Sequence, residues 1–156
     1  MIKIGIIDVG SNSMRLVISQ INKEKGSFKI IEEAKETIGL GKDMNLKGEL
    51  NITRMNKAIS ALYFFKHLCT YKNVEHIIPV ATEAVRKASN QTDFLNRVKS
   101  ELNMEIRVLS GKEEAYYAYL GTINSMDFSE GLLVDIGGSS TEFILVKERC
   151  IKKSTS

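Results

Sequence analysis

Apolar residues near the start of the chain run almost unbroken through residues 4–7, resume at Met14-Arg15-Leu16-Val17-Ile18-Ser19, and alternate with polar ones over residues 28–34. A short continuous run suits a strand covered on both faces, and alternation suits one that is half covered. The opening therefore predicts three strands in an antiparallel meander, with Lys23-Glu24-Lys25-Gly26-Ser27 as a polar turn. Residues 39–48, which contain Gly39-Leu40-Gly41 and end on Gly48, read as a loop. From Asn51 the period changes: Ile52, Met55, Ile59, Leu62, Phe65 and Leu68 recur at helical spacing. That is an amphipathic helix capped by Asn51 or Thr53, with Lys66 and His67 near its far end.

Residues 76–81 predict a fourth strand, whose proline, Pro79, argues for an edge or a strand end. A helix opens near Thr92 and reaches about Leu102, and residues 105–109 form a fifth strand. Ser110 and Glu113 have the spacing of a capping box for a helix reaching Leu120, which Gly121 ends. Two further strands, residues 132–135 and 142–146, flank a second stretch of small residues, and residues 147–156 are polar and unpatterned. A meander followed by alternating helices and strands is an α/β pattern, with strands one, four and five forming a parallel centre.

Composition narrows the class only a little. The 156 residues are 43% hydrophobic, enough for one sizeable core, and carry a net charge of +3 with 26% charged residues. That balance does not mark a nucleic-acid binder, and it does not repel a polyanion. Cys69 and Cys150 lie far apart with no metal-ligand spacing, which favours a reduced compartment over a disulfide framework. His67 and His76 have no partner at ligand spacing and read as helix-end and strand-edge residues, and Tyr63-Phe64-Phe65 as core or domain-interface surface. With no leader pattern and no apolar run long enough to span a bilayer, the expectation is a soluble, cytoplasmic chain with no membrane, DNA or RNA partner.

The candidate chemistry lies in a signature that occurs twice: Ile7-Asp8-Val9-Gly10-Ser11-Asn12-Ser13 and Val134-Asp135-Ile136-Gly137-Gly138-Ser139-Ser140-Thr141-Glu142. Each copy puts a carboxylate at the end of an apolar strand and follows it with small residues. Phosphate oxygens need N–H donors converging from a turn, and the metal that neutralises them needs carboxylate oxygens. Two unrelated hairpins using Asp and Gly for turn geometry alone are the plain alternative. Repetition weighs against it.

Four motifs in order, the two signatures with Ala81-Thr82-Glu83-Ala84-Val85-Arg86 and Ser110-Gly111-Lys112-Glu113-Glu114-Ala115 between them, resemble the exopolyphosphatase and guanosine pentaphosphate phosphatase family. That family belongs to the actin, Hsp70 and sugar-kinase superfamily. The resemblance implies a ribonuclease H-like (actin-like ATPase) domain with a mixed five-stranded sheet flanked by helices. It further implies a pair of such domains with the active cleft between them, residues 1–146 being the first and 147–156 a polar tail leading to an absent second. A homodimer of the full-length protein is a further expectation.

Carried over residue by residue, the resemblance makes Glu114 the general base that activates the attacking water. Adjacent helical residues point about 100° apart, so only one of Glu113 and Glu114 faces the cleft; read without the family, both are ordinary first-turn acids. Asp8, Asp135 and Glu142 would hold or orient Mg2+ or another divalent cation. Gly10, Ser11, Asn12 and Ser13, with Gly137, Gly138, Ser139, Ser140 and Thr141, would bind phosphate, and Arg86 would present a guanidinium to it.

Two positions depart from the family pattern. Ser139 stands where the family has a third glycine, and a positive φ there would cost about 1–2 kcal/mol. Tyr116 replaces an arginine that often follows the glutamates. The implied activity is removal of terminal phosphate from inorganic polyphosphate or of the 5′-phosphate of guanosine pentaphosphate. An ATP-dependent sugar or acetate kinase domain and a non-catalytic polyphosphate or alarmone sensor use the same loops and stay open.

Overall fold

The computed structural model describes residues 1–44 and 46–156, which divide into two compact units, Met1–Val108 and Leu109–Ser156. The first unit holds β1 (Ile2–Val9), β2 (Ser13–Asn22), β3 (Ser27–Thr37), α1 (Ile52–Tyr71), β4 (His76–Ala81), α2 (Glu83–Lys87), α3 (Gln91–Leu102) and β5 (Arg107–Val108). The strands form one mixed sheet in the order β3-β2-β1-β4-β5. β1, β2 and β3 pair antiparallel, while β4 lies parallel to β1 and β5 parallel to β4. The meander and the parallel centre are those the hydrophobic pattern predicts.

The core shows why α1 and α3 form. Ile7, Val9, Met14, Leu16 and Ile18 of the sheet meet Leu62 and Phe65 of α1 and Phe94 and Val98 of α3, all fully buried. Alternate residues on β1 point the other way, and Ile6 there and Ile78 on β4 stay 45% exposed. The run over residues 4–7 thus belongs to a strand buried on one face, not on both. Of the aromatic trio only Phe65 is core; Tyr63 and Phe64 are exposed, and Tyr63 packs edge-on against His67.

Asn51 caps α1 by accepting from the amides of Thr53 and Arg54 at 2.9 and 3.3 Å. Pro79 sits inside the sheet, since β4 runs between β1 and β5. Only Val80 and Ala81 pair with β5, so the proline occupies a stretch of β4 with no β5 partner alongside it.

The second unit holds α4 (Gly111–Ser125), β6 (Gly131–Ile136), β7 (Thr141–Lys147) and β8 (Cys150–Thr155), the strands forming an antiparallel sheet in that order. Its small core joins Ala115 of α4 to Ile144 and Val146 of β7. The opposite face of the sheet leaves Leu132, Val134, Ile136, Phe143 and Leu145 exposed.

Two expectations are corrected here. Gly121 does not end α4, which continues to Ser125. Residues 147–156 are not an unpatterned tail but carry strand β8, joined to β7 through Glu148 and Arg149, both at positive φ (54° and 56°). α4 secures that turn: the Tyr119 hydroxyl donates to the Arg149 carbonyl, and the Arg149 guanidinium donates to the Ile123 carbonyl. Each small-residue loop therefore joins the first two strands of a three-stranded antiparallel meander, β1-β2-β3 in one unit and β6-β7-β8 in the other.

Candidate functional site

In the first unit, β1 ends at Val9 and the chain turns tightly through Gly10 to Ser13. The Gly10 amide donates to the Ser13 carbonyl at 3.2 Å, and a Cβ at Gly10 would lie 2.8 Å from that oxygen. Only glycine fits there, and its N–H closes the turn. The Ser11 and Asn12 carbonyls are tied back: Gly41 donates to Ser11 at 2.9 Å, while Ile38 and Gly39 donate to Asn12 at 3.1 and 2.7 Å.

The Gly39-Leu40-Gly41 segment is thus a brace for the first turn rather than a plain loop. Its two glycines were the available signal. Gly39 has φ +65°, and a Cβ on Gly41 would come within 3.3 Å of both Ser11 and Ala84. Arg54, at the start of α1, holds the segment by donating to the Ile38 carbonyl at 2.9 Å and pairing with Asp43 at 2.8 Å.

Asp8 lies exposed on β1, between Arg15 on β2 and Val80 on β4 in the pairing register. The Thr82 amide donates to the Val9 carbonyl at 3.3 Å, which sets α2 at the carboxyl ends of β1 and β4. Such strand ends are where ligands bind in parallel α/β sheets. Arg86 on α2 is not a solvated helix residue, because it pairs with Glu83, whose other carboxylate oxygen meets Lys87. Glu83 is only 7% exposed. Its burial raises the carboxyl pKa, but the hydrogen bond from Lys87 and the charges of Arg86 and Lys87 outweigh that, and the net shift is downward.

The second unit repeats the turn. The Gly137 amide donates to the Ser140 carbonyl at 2.9 Å, and a Cβ at Gly137 would meet that oxygen at 3.3 Å. Ser139 does not have positive φ, so serine in place of glycine brings no backbone strain. Asp135 and Glu142 are direct partners across β6 and β7 and share one face of the sheet.

Glu142 is 1% exposed and accepts from the Ser156 hydroxyl at 2.9 Å. Ser156 in turn lies against Gly111, the first residue of α4, where a Cβ would sit 2.8 Å from it. One unit thus gathers the start of α4, the carboxylate pair and the second loop. Glu113 is engaged in the capping box, its carboxylate accepting from the Ser110 amide and hydroxyl, both at 2.8 Å. Glu114, half buried, follows it and donates its amide to the Ser110 carbonyl at 2.9 Å.

Two carboxylates directly opposed repel unless a cation or proton lies between them. A magnesium ion takes one or two protein carboxylates and fills its other positions with water and phosphate, so the Asp135–Glu142 pair fits one. Among the described residues no group of three or more His, Cys, Asp and Glu is arranged to hold a metal. Asp8 belongs to the first unit and the other two carboxylates to the second.

Residues 17–156 match the model of the Ppx/GppA phosphatase family. The chain belongs to that family. As a Ppx/GppA member it has the ribonuclease H-like, actin-like ATPase fold. It is similar to a bifunctional 3-dehydroquinate synthase/phosphatase of Fusobacterium nucleatum, with 34% identity over 96% of this chain and 24% of that protein. It is also similar to a guanosine-5'-triphosphate,3'-diphosphate pyrophosphatase of Photobacterium profundum, with 32% identity over 89% of this chain and 28% of that protein. Among solved structures, an exopolyphosphatase from Cytophaga hutchinsonii superposes with a TM-score of 0.91 and 32% identity, over 98% of this chain and 49% of that one. The chain thus spans half or less of the length of these relatives.

Proposed function

We propose that this chain is part of a phosphohydrolase that removes terminal phosphate from inorganic polyphosphate or the 5′-phosphate of guanosine pentaphosphate. The observation that carries the reading is the gathering, within residues 109–156, of Glu114, the opposed Asp135 and Glu142, and a glycine turn at residues 137–140. Family membership and the names of the relatives agree with it.

In this reading Glu114 accepts a proton from water as the water attacks the terminal phosphorus, and the leaving phosphate chain departs in line. Asp135 and Glu142 would hold a divalent cation, which would supply neutralisation of phosphate charge. The glycine amides close the turns, so Ser11, Asn12 and Ser13 in one loop, and Gly138, Ser139, Ser140 and Thr141 in the other, remain as the phosphate-facing candidates. Arg86 adds a planar cation.

The two compact units and the repeated loop-in-meander pattern favour a boundary of the first ribonuclease H-like domain near Val108 rather than at residue 146, with β6–β8 opening the second. Relatives of at least twice this length make a partner half in the same protein the natural completion. This chain alone then turns over little. No helix among the described residues is long and apolar enough to cross a membrane.

The test is phosphate release by the full-length protein from polyphosphate and from guanosine pentaphosphate, with and without a sugar or acetate acceptor. Release without acceptor supports the proposal. A kinase transfers phosphate only when the acceptor is present, a sensor releases none, and either result overturns it.

A further inference from the structure

The repeated meander allows the two units to be compared residue for residue. Setting the closing glycine of one turn, Gly10, on that of the other, Gly137, aligns the cross-strand pair Ile7–Leu16 with Val134–Phe143, and Gly5–Ile18 with Leu132–Leu145. In the first unit Ile7, Val9, Leu16 and Ile18 are fully buried, in one core with Leu62 and Phe65 of α1. Their counterparts Val134, Ile136, Phe143 and Leu145 are 44–78% exposed.

The other face of β7 needs no further cover, because Ile144 and Val146 already pack on Ala115 of α4. An apolar sheet face is stable only against a second layer, and a patch of adjacent large apolar side chains left in water marks a place where something docks. Here the patch occupies the same paired positions that receive a helix in the first unit.

We propose that the bare face of β6 and β7 is the seat of an amphipathic helix of the same protein, the counterpart of α1, drawn from chain that follows β8; this rests on the reading above that β6–β8 open a second domain. Relatives at least twice as long as this chain leave room for it. In the first unit β3 ends at Thr37 and α1 begins at Ile52, and a connection of similar length after β8 would return the helix to the sheet. Its apolar stripe should repeat the spacing of Met55, Ile59, Leu62 and Phe65. A second copy of this chain and an unrelated protein are the competing occupants.

Two measurements identify the occupant. The first is thiol labelling of Val134→Cys in the 156-residue chain and in the full-length protein, with the labelled peptide read by mass spectrometry so that other cysteines do not interfere. Labelling should be fast in the 156-residue chain and about a hundredfold slower in the full-length protein, whatever the protein concentration. The second places the photo-crosslinker p-benzoylphenylalanine at Phe143 of the full-length protein. The expected product is a crosslink within one molecule to a helical segment that follows β8.

Equally fast labelling in both proteins overturns the proposal, since the face then stays bare. Protection already present in the 156-residue chain, or lost from the full-length protein on dilution, gives the face to a second copy and overturns it as well. So does a crosslink to another protein or to a segment elsewhere in the chain. Neither measurement involves phosphate, so this proposal can fail while the phosphohydrolase reading stands, and the reverse.

Discussion

Replacing Gly10 by alanine should loosen the first loop by a calculable amount. The added Cβ would lie 2.8 Å from the Ser13 carbonyl oxygen, about 0.6 Å short of ordinary contact, and the obstacle is backbone rather than a flexible side chain. Overpacking of this kind costs about 1–3 kcal/mol. Opening the turn also weakens the Gly10-to-Ser13 hydrogen bond, worth about 0.5–1.5 kcal/mol net. A loss of about 3 kcal/mol should lower the melting temperature by about 6–12 °C for a chain of this length.

Gly121 provides the opposite case. It lies within α4 and a Cβ there meets nothing within 4 Å, so Gly121→Ala should stabilise by about 0.5–1 kcal/mol, because alanine restricts the unfolded chain and favours the helix. Thermal melts followed by circular dichroism read both. A Gly10→Ala chain melting within about 2 °C of wild type, or a Gly121→Ala chain melting well below it, would refute the steric reasoning.

Three further outcomes are expected. Gly5→Ala places a Cβ 2.9 Å from the Sγ of buried Cys69 and should cost about 1–3 kcal/mol in urea unfolding, most of it recovered in the Gly5→Ala/Cys69→Ala double variant. Because the folded Glu83 carboxyl titrates below its ordinary value of 4.5, the stability it contributes is fully present above that pH and is lost as pH falls through the folded value; Glu83→Gln should flatten this part of the stability–pH curve. Asp135→Asn removes the repulsion with Glu142 and should raise stability by up to about 1 kcal/mol without metal, while abolishing any rise on adding Mg2+, as read by calorimetry.

Much of this fold is written in hydrophobic period, and the exceptions have local causes. The 3.6-residue spacing of Met55, Ile59, Leu62 and Phe65 marked α1, since those residues are the ones that meet the sheet. Ser110 and Glu113 marked the start of α4 because a capping box is a purely local device.

β8 was hidden because its turn uses Glu148 and Arg149 at positive φ, where sequence signals lead one to expect Gly or Asn, and its hold on α4 is tertiary. Gly121 looked like a terminator, yet α4 carries on through it. At the candidate site, the paired glycine loops were legible as motifs. What was not legible was how Gly39 and Gly41 brace the first loop, that Glu83 clamps Arg86, and that Ser139 avoids positive φ, since each depends on neighbours distant in sequence or on backbone conformation.

The most direct measurement compares phosphate release and substrate affinity for Glu114→Gln and Glu113→Gln in the full-length protein. The account predicts that Glu114→Gln keeps its affinity while losing about 10²–10⁴ in turnover, whereas Glu113→Gln, whose amide oxygen still accepts from the Ser110 amide, loses little stability and little turnover. Glu114→Gln releasing phosphate at the wild-type rate would contradict it.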